Sequence, residues 1–146
     1  MSYNERTSTY DPSQVVVTFG ELRITGYADG TVIKVERDED RYTKKIGVDG
    51  ETGRTRNNNR GGTIEVTLLQ TSASNLALSA KATADDDAPG GLPPEPLVVK
   101  DLEGNSLHVA AAAWIQKLPA SEFAKELGQR TWIFGTGSLR QVDGGN

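Results

Sequence analysis

Apolar and polar positions alternate along several short runs of this chain, and each run ends on glycine, asparagine or charge. TIEVTLLQ, residues 63–70, keeps the period best: Ile64, Val66 and Leu68 fall on one side, Thr63, Glu65 and Thr67 on the other. That two-residue period predicts a strand with one face in a core. TVIKVERDED, residues 31–40, starts the same way, with Ile33 and Val35 opposite Lys34 and Glu36, and then dissolves into charge. RYTKKIG, residues 41–47, reads as its return partner. QVVVTFG, residues 14–20, is a β-branched run ending on glycine, and LRITGYADG follows with turn residues at Ala28-Asp29-Gly30.

From Gly47 to Gly62 the chain is polar and almost devoid of apolar residues besides Val48. Nothing there can build a core. With the strands on either side it predicts a long antiparallel hairpin whose tip is GRTRNNNRGG, residues 53–62. SASNLALSAKATADDD, residues 72–87, changes period: Ser72 or Ser74 can cap a helix, and Leu76, Leu78, Ala80 and Ala84 supply its apolar surface. APGGLPPEP then ends it, because proline and glycine continue neither a helix nor a central strand. Residues 96–117, PLVVKDLEGNSLHVAAAAWIQK, predict a strand, a turn at Glu103-Gly104-Asn105 and a second element. Its alanine run suits a helix by propensity, while the hairpin pattern and the adjacent Trp114-Ile115 suit a strand. RTWIF and SLRQV read as two closing strands. The prediction is one domain over residues 1–146, mainly β, an antiparallel sandwich or barrel with one flanking helix.

Composition adds a constraint on size and partners. A chain of 146 residues has room for one real core, yet its hydrophobic share is 36%, below the usual roughly 45–50% even when glycine is left aside. A thin core of this kind points to association. The 16 basic and 20 acidic residues leave a net charge of -4, which opposes a nucleic-acid grip unless cations are segregated on one face. Without cysteine there is neither a disulfide nor a thiol nucleophile. MSYNERTSTYDPSQ, the polar N-terminal stretch, lacks the apolar run of a secretory signal. No window approaches the ~20 apolar residues of a membrane span, so no membrane insertion is expected.

The candidate chemistry is sparse. GRTRNNNRGG concentrates Arg54, Arg56 and Arg60 around Asn57, Asn58 and Asn59, but a phosphate-binding P-loop needs Gly-Lys-Ser/Thr opening a helix, and this stretch opens a strand. A solvated or protein-contacting loop is the stronger reading. Asp38-Glu39-Asp40 and Asp85-Asp86-Asp87 lack the alternating oxygens and central glycine of a calcium loop. His108 shares a strand face with Ser106, yet no nucleophile-elbow sequence accompanies them, so a structural histidine is favoured. Trp114 and Trp132 fit the core or an interface. No catalytic, cofactor-binding or metal-binding residue is assigned.

The run QVVVTFGELRITGYADGTVIKVERDEDRYTKKIGVDGETGRTRNNNRGGTIEVTLLQTSASN, with AAAAWIQK, FAKELGQRTWIF and the terminal GGN, resembles the tail tube proteins of contractile-tailed bacteriophages. RTRNNNRGGTI joined to TLLQTS is the most specific part. The polar arm, residues 1–13, and ADDDAPGGLPPEP depart from the family pattern. The resemblance implies a virion protein of the viral tail, assembled in the host cytoplasm, whose homohexameric rings complete a β-barrel lumen and stack into a tube that conducts DNA without binding it specifically. It implies as partners the tail sheath, tape-measure, baseplate and tail-terminator proteins. Residues 47–62 would then reach the next ring, with Arg54, Arg56 and Arg60 meeting acidic loops such as Asp38-Glu39-Asp40. Tyr3 and Tyr10 of the arm would offer aromatic contacts to a neighbouring ring.

An acidic, hydroxylated lumen repels DNA phosphates where a basic one would hold them. Glu36 and Glu65, on polar strand faces, are the lumen candidates, and Lys34 beside Glu36 makes the lining locally mixed in sign. The alternatives are the tube of a phage-derived injection particle, a tailocin or secretion device, and a small carbohydrate- or phosphate-binding β domain using the Arg/Asn loop. A hydrolase around His108 is a distant third.

Overall fold

The computed structural model describes residues 7–30 and 32–145; Tyr3 of the arm lies outside them. A short 3-10 turn at Pro12–Gln14 precedes β1 (Val15–Phe19) and β2 (Leu22–Ile24). Then come β3 (Ile33–Arg37), β4 (Tyr42–Ile46), β5 (Thr52–Arg56) and β6 (Gly62–Leu69). One helix, α1 (Ala73–Asp87), is followed by β7 (Glu95–Asp101), β8 (Leu107–Lys117), β9 (Gln129–Thr136) and β10 (Leu139–Val142).

One antiparallel sheet runs β2-β1-β7-β8-β9-β6-β3, with β10 also on β8. The long β8 takes β7 along one edge, while β10 pairs with its Leu107–Ala110 half and β9 with Ala113–Lys117. The register between β7 and β8 shifts between Glu95 and Leu97, where Pro96 has no N–H to give the ladder. The alanine run is therefore strand: Ala110 pairs with Leu97 and Leu139 and Ala113 with Glu95 and Thr136, while Ala111 and Ala112 span the irregularity, and this pairing outweighs alanine's helical propensity.

The alternation in β6 is realised, with Ile64, Val66 and Leu68 buried and Thr63, Glu65 and Thr67 half-buried on the other face. These side chains join Val17, Phe19, Ile24, Leu97, Val99, Trp132, Phe134 and Leu139 in a single core cluster. Flat strands β1 and β9, with two strands between them, would sit about 14 Å apart at the usual sheet spacing. The rings of Phe19 and Phe134 lie 5.0 Å apart, so the sheet curls over its inner face. Beyond β2, Ala28 N–H donates to the Thr67 carbonyl at 3.1 Å and Leu69 N–H to that of Gly26 at 2.9 Å. This segment thus continues the β6 edge past β3.

The helix starts at Ser72, whose hydroxyl accepts from Ser74 N–H and donates to the Thr25 carbonyl at 2.6 Å. Of its expected apolar surface only Leu78 is buried; Leu76 is 78% exposed, and Ser74 takes an inward position to receive Thr25 N–H. Trp132 is buried with its indole N–H donated to Asn75 Oδ1 at 2.9 Å, while Trp114 stays 42% exposed on the outer face.

Two expectations are corrected. β4 does not return along β3: β3 pairs with β6, and β4 pairs with β5 in a separate two-stranded ribbon. The polar segment 47–62 is also not one loop, because Thr52–Arg56 is a strand whose five residues are all exposed. The ribbon tip is the turn at Val48 to Gly50, and Asn57, Asn58 and Asn59 lie at its root. Apolar pattern selects the face of a strand but not its partner, and β5 carries no apolar residue to betray it.

Candidate functional site

The ribbon buries almost nothing. Every residue from Thr43 to Arg56 is exposed, with Ile46 at 60% and Val48 fully exposed at the tip. Tyr42 is the half-buried anchor, with the guanidinium of Arg54 4.3 Å and that of Arg41 5.7 Å from its ring centre. Such cation–aromatic contacts hold the root of the ribbon without a hydrophobic core.

At that root the asparagines knot the chain. Asn57 N–H donates to the Arg41 carbonyl at 2.8 Å, closing the ribbon. Its side-chain Nδ2 donates to Glu39 Oε2 at 2.7 Å, and its Oδ1 receives Asn59 N–H at 2.9 Å. Asn59 Oδ1 in turn receives Gly61 N–H at 2.9 Å. These are side chains mimicking backbone turns, the usual use of asparagine in tight loops. Hydrogen bonds from the side chains of Asn57 and then Asn59 lower the Glu39 pKa below the ordinary carboxylate value. Asn58 is exposed beside them. Asp38 N–H donates to the Gly61 carbonyl at 3.1 Å, and Asp38 Oδ1 accepts from Thr63 at 3.4 Å. Of the three acidic residues, Asp38 and Glu39 are engaged within their own subunit.

The same root makes a groove of about 360 Å³ lined by Arg37, Arg41, Arg56, Arg60 and Arg140 and by one acid, Asp143. Distant segments are brought together by backbone hydrogen bonding: Leu139 N–H donates to the Arg60 carbonyl at 2.8 Å, and Arg37 Nη2 donates to that of Leu139 at 2.9 Å. Of the predicted trio Arg54, Arg56 and Arg60, the groove takes Arg56 and Arg60 while Arg54 lies over Tyr42; Arg37, Arg41 and Arg140 are additions that the sequence does not single out. Arg41 sits beside the β4 tyrosine in sequence, but nothing near Arg140 signals its neighbours.

On the outer face of β3, β6 and β9, Lys34 and Glu36 lie 3.4 Å apart. Lys34 is directly opposite Glu65, and Glu36 opposite Thr63. Thr67 and Thr131 share a hydroxyl contact of 3.2 Å, and Ile133 is cross-strand from Glu65. The face thus carries two carboxylates, one ammonium and hydroxyls, with an apolar interruption.

His108 and Ser106 hold the C-terminal segment. His108 Nε2 lies 3.3 Å from Asp143 Oδ1, and Ser106 Oγ accepts from Gly144 N–H at 3.1 Å. His108 Nε2 and Ser106 Oγ face the tail, while His108 Nδ1 is buried without a hydrogen-bond partner among the described residues. Asp85 Oδ1 accepts from Leu92 N–H at 2.6 Å, while Asp86 and Asp87 are exposed at the end of α1. Among the described residues, no three histidine, aspartate or glutamate side chains converge to hold a metal.

Comparison with known proteins gives a consistent set. The family profile described as Bacteriophage PhiTE tail tube protein matches residues 15–144. A relative named Structural protein ORF10, of Pseudomonas phage KPP10, is 31% identical over 147 residues, covering 97% of this chain and 85% of its own. Among solved structures, the anti-feeding prophage cap, a tube-terminating cap, superposes with a TM-score of 0.64 at 10% identity, covering 97% of this chain and 95% of its own. The sheath–tube complex of the extracellular contractile injection system PVC gives 0.62 at 8% identity, covering 92% and 93%. At such identities these two speak for the fold alone.

Proposed function

From the premise that this chain belongs to the Bacteriophage PhiTE tail tube family, we propose that it is a structural subunit whose homohexameric rings stack into the hollow tube of a phage tail. The tube would conduct DNA from capsid to host. The observation that carries this reading is the β4–β5 ribbon, two strands with no core of their own. An isolated two-stranded ribbon is marginal in water, so its natural stabiliser is another subunit. The unpaired outer edge of β3 and the exposed Trp114 supply further surface for neighbours.

On this reading residues 47–62 contact the next ring, and Arg54, Arg56 and Arg60 pair with its carboxylates through their forked donors. Asp40 is the member of the 38–40 trio left for that role. Tyr10, exposed ahead of the 3-10 turn, contacts a neighbour. The face bearing Glu36, Glu65 and threonine hydroxyls lines the lumen, where net negative charge keeps DNA phosphates from adhering. The sheath surrounds the tube, the tape-measure protein fills it during assembly, and baseplate and terminator proteins bound its ends. The role is structural, without a catalytic step. The 31% identical phage structural protein supports a virion over a phage-derived injection particle.

Sedimentation of the purified protein tests self-association. The expected result is a population far heavier than the 15.7 kDa subunit, growing with concentration. One boundary at the subunit mass across all concentrations would count against the proposal.

A further inference from the structure

We propose that the arginine groove at the ribbon root receives the acidic end of α1, Asp85-Asp86-Asp87, from a second copy of this chain. This rests on the self-association put forward above and names a contact within it. Five of the chain's nine arginines line one groove of about 360 Å³ in a protein whose net charge is -4. That segregation is the exception that an acidic composition left open. Among the described residues no arginine takes part in an ion pair. Asp143, the one acid lining the groove, faces His108 and accepts from Gln141 Nε2 at 3.0 Å. Five guanidinium groups around one concavity repel one another, and carboxylates inserted between them relieve that repulsion with bidentate geometry.

In the loop beside the groove the Glu39 carboxylate accepts from Asn57 and the Asp38 carboxylate from Thr63, and among the described residues no carboxylate of the same subunit pairs with a groove arginine. The end of α1 fits the need. Three successive aspartates occupy its last turn with no base among them, although the helix dipole there favours cations. Asp86 and Asp87 are exposed and enter no ion pair among the described residues. Local preference is thus violated at the one place where a cationic partner would repair it, and such violations concentrate at functional sites. Groove and acidic turn are different patches, so their contact is heterologous, the kind that generates rings and filaments rather than two-fold dimers.

Charge exchange tests the contact. One variant carries Arg41→Glu and Arg56→Glu, the other Asp86→Arg and Asp87→Arg, and circular dichroism checks that each is folded. In sedimentation, each alone should lose at least tenfold of the assembled fraction, and an equal mixture should recover it, since each groove then meets an opposite charge on the other variant. If the Asp86/Asp87 variant assembles like the unsubstituted protein, or if the mixture recovers nothing, the contact is wrong while self-association stands. If the unsubstituted protein never assembles, the tube reading falls and this contact falls with it.

Discussion

Asn57 holds Glu39 across 2.7 Å, fastening the asparagine run to the acidic loop inside a single subunit. The loop root is therefore a pre-organised platform. Ordering it before association spares the entropy that an undirected loop would lose at the interface. The ribbon beyond it is held by its own strand pairing and by a tip turn in which Asp49 Oδ1 accepts from Glu51 N–H, and its exposed tip is the part that gains most from a neighbour.

The Asn57–Glu39 bond has a pH signature. A carboxyl whose folded pKa is lowered favours the folded arrangement while ionised. Its contribution is complete above the unfolded value and disappears as pH falls through the lower folded value. Asn57→Ala should move the Glu39 midpoint upward toward the ordinary carboxylate value in a carboxyl NMR titration. An unmoved midpoint would mean that the hydrogen bond is not its cause.

Val48 is fully exposed at the ribbon tip. Val48→Asp should leave the urea-unfolding free energy of the subunit within about 0.5 kcal/mol, as for surface positions generally, while lowering self-assembly in light scattering. A subunit that assembles normally with aspartate at its tip would remove the apolar tip from the interface.

Phe134 is wholly buried and packs on Phe19 across the curl of the sheet. Phe134→Ala should cost about 3–5 kcal/mol, the range for removing a buried aromatic, measured by urea unfolding under conditions where the subunit is unassembled. A loss below about 1 kcal/mol would mean that the curl of the sheet does not depend on this contact.

Gly62 sits where β3, β6 and β10 converge. A methyl group there would come 2.8 Å from the Glu36 carbonyl oxygen and 2.6 Å from Leu139 Cδ2. Gly62→Ala should therefore destabilise the fold by about 1–3 kcal/mol through overpacking, with amide NMR shifts changing at Arg60 and Leu139. Unperturbed shifts there would show that the chain relaxes elsewhere.

Much of this architecture is legible in residue pattern because burial imposes a period. β6 announces itself through Ile64, Val66 and Leu68, and the Ser72 cap and the proline-rich exit delimit α1. What pattern misses is pairing. Ile33 and Val35 mark a buried face but do not say that β6 rather than β4 lies beside it. β5 escapes because TGRTR buries nothing, and period is readable only where one face is apolar. Arg54, Arg56 and Arg60 are visible as a cluster, whereas Arg37 and Arg140 join the groove through pairings distant in sequence, β3 with β6 and β10 with β8, and through the bonds at Leu139. Helical propensity misplaces Leu76, and tertiary contact decides which side of a weakly amphipathic helix is covered.

Electron microscopy of the purified protein decides whether it is a tube subunit. A tube subunit gives hollow rings with six-fold class averages, stacking into tubes as concentration rises. Solid particles, or dispersed subunits at every concentration, would contradict that role.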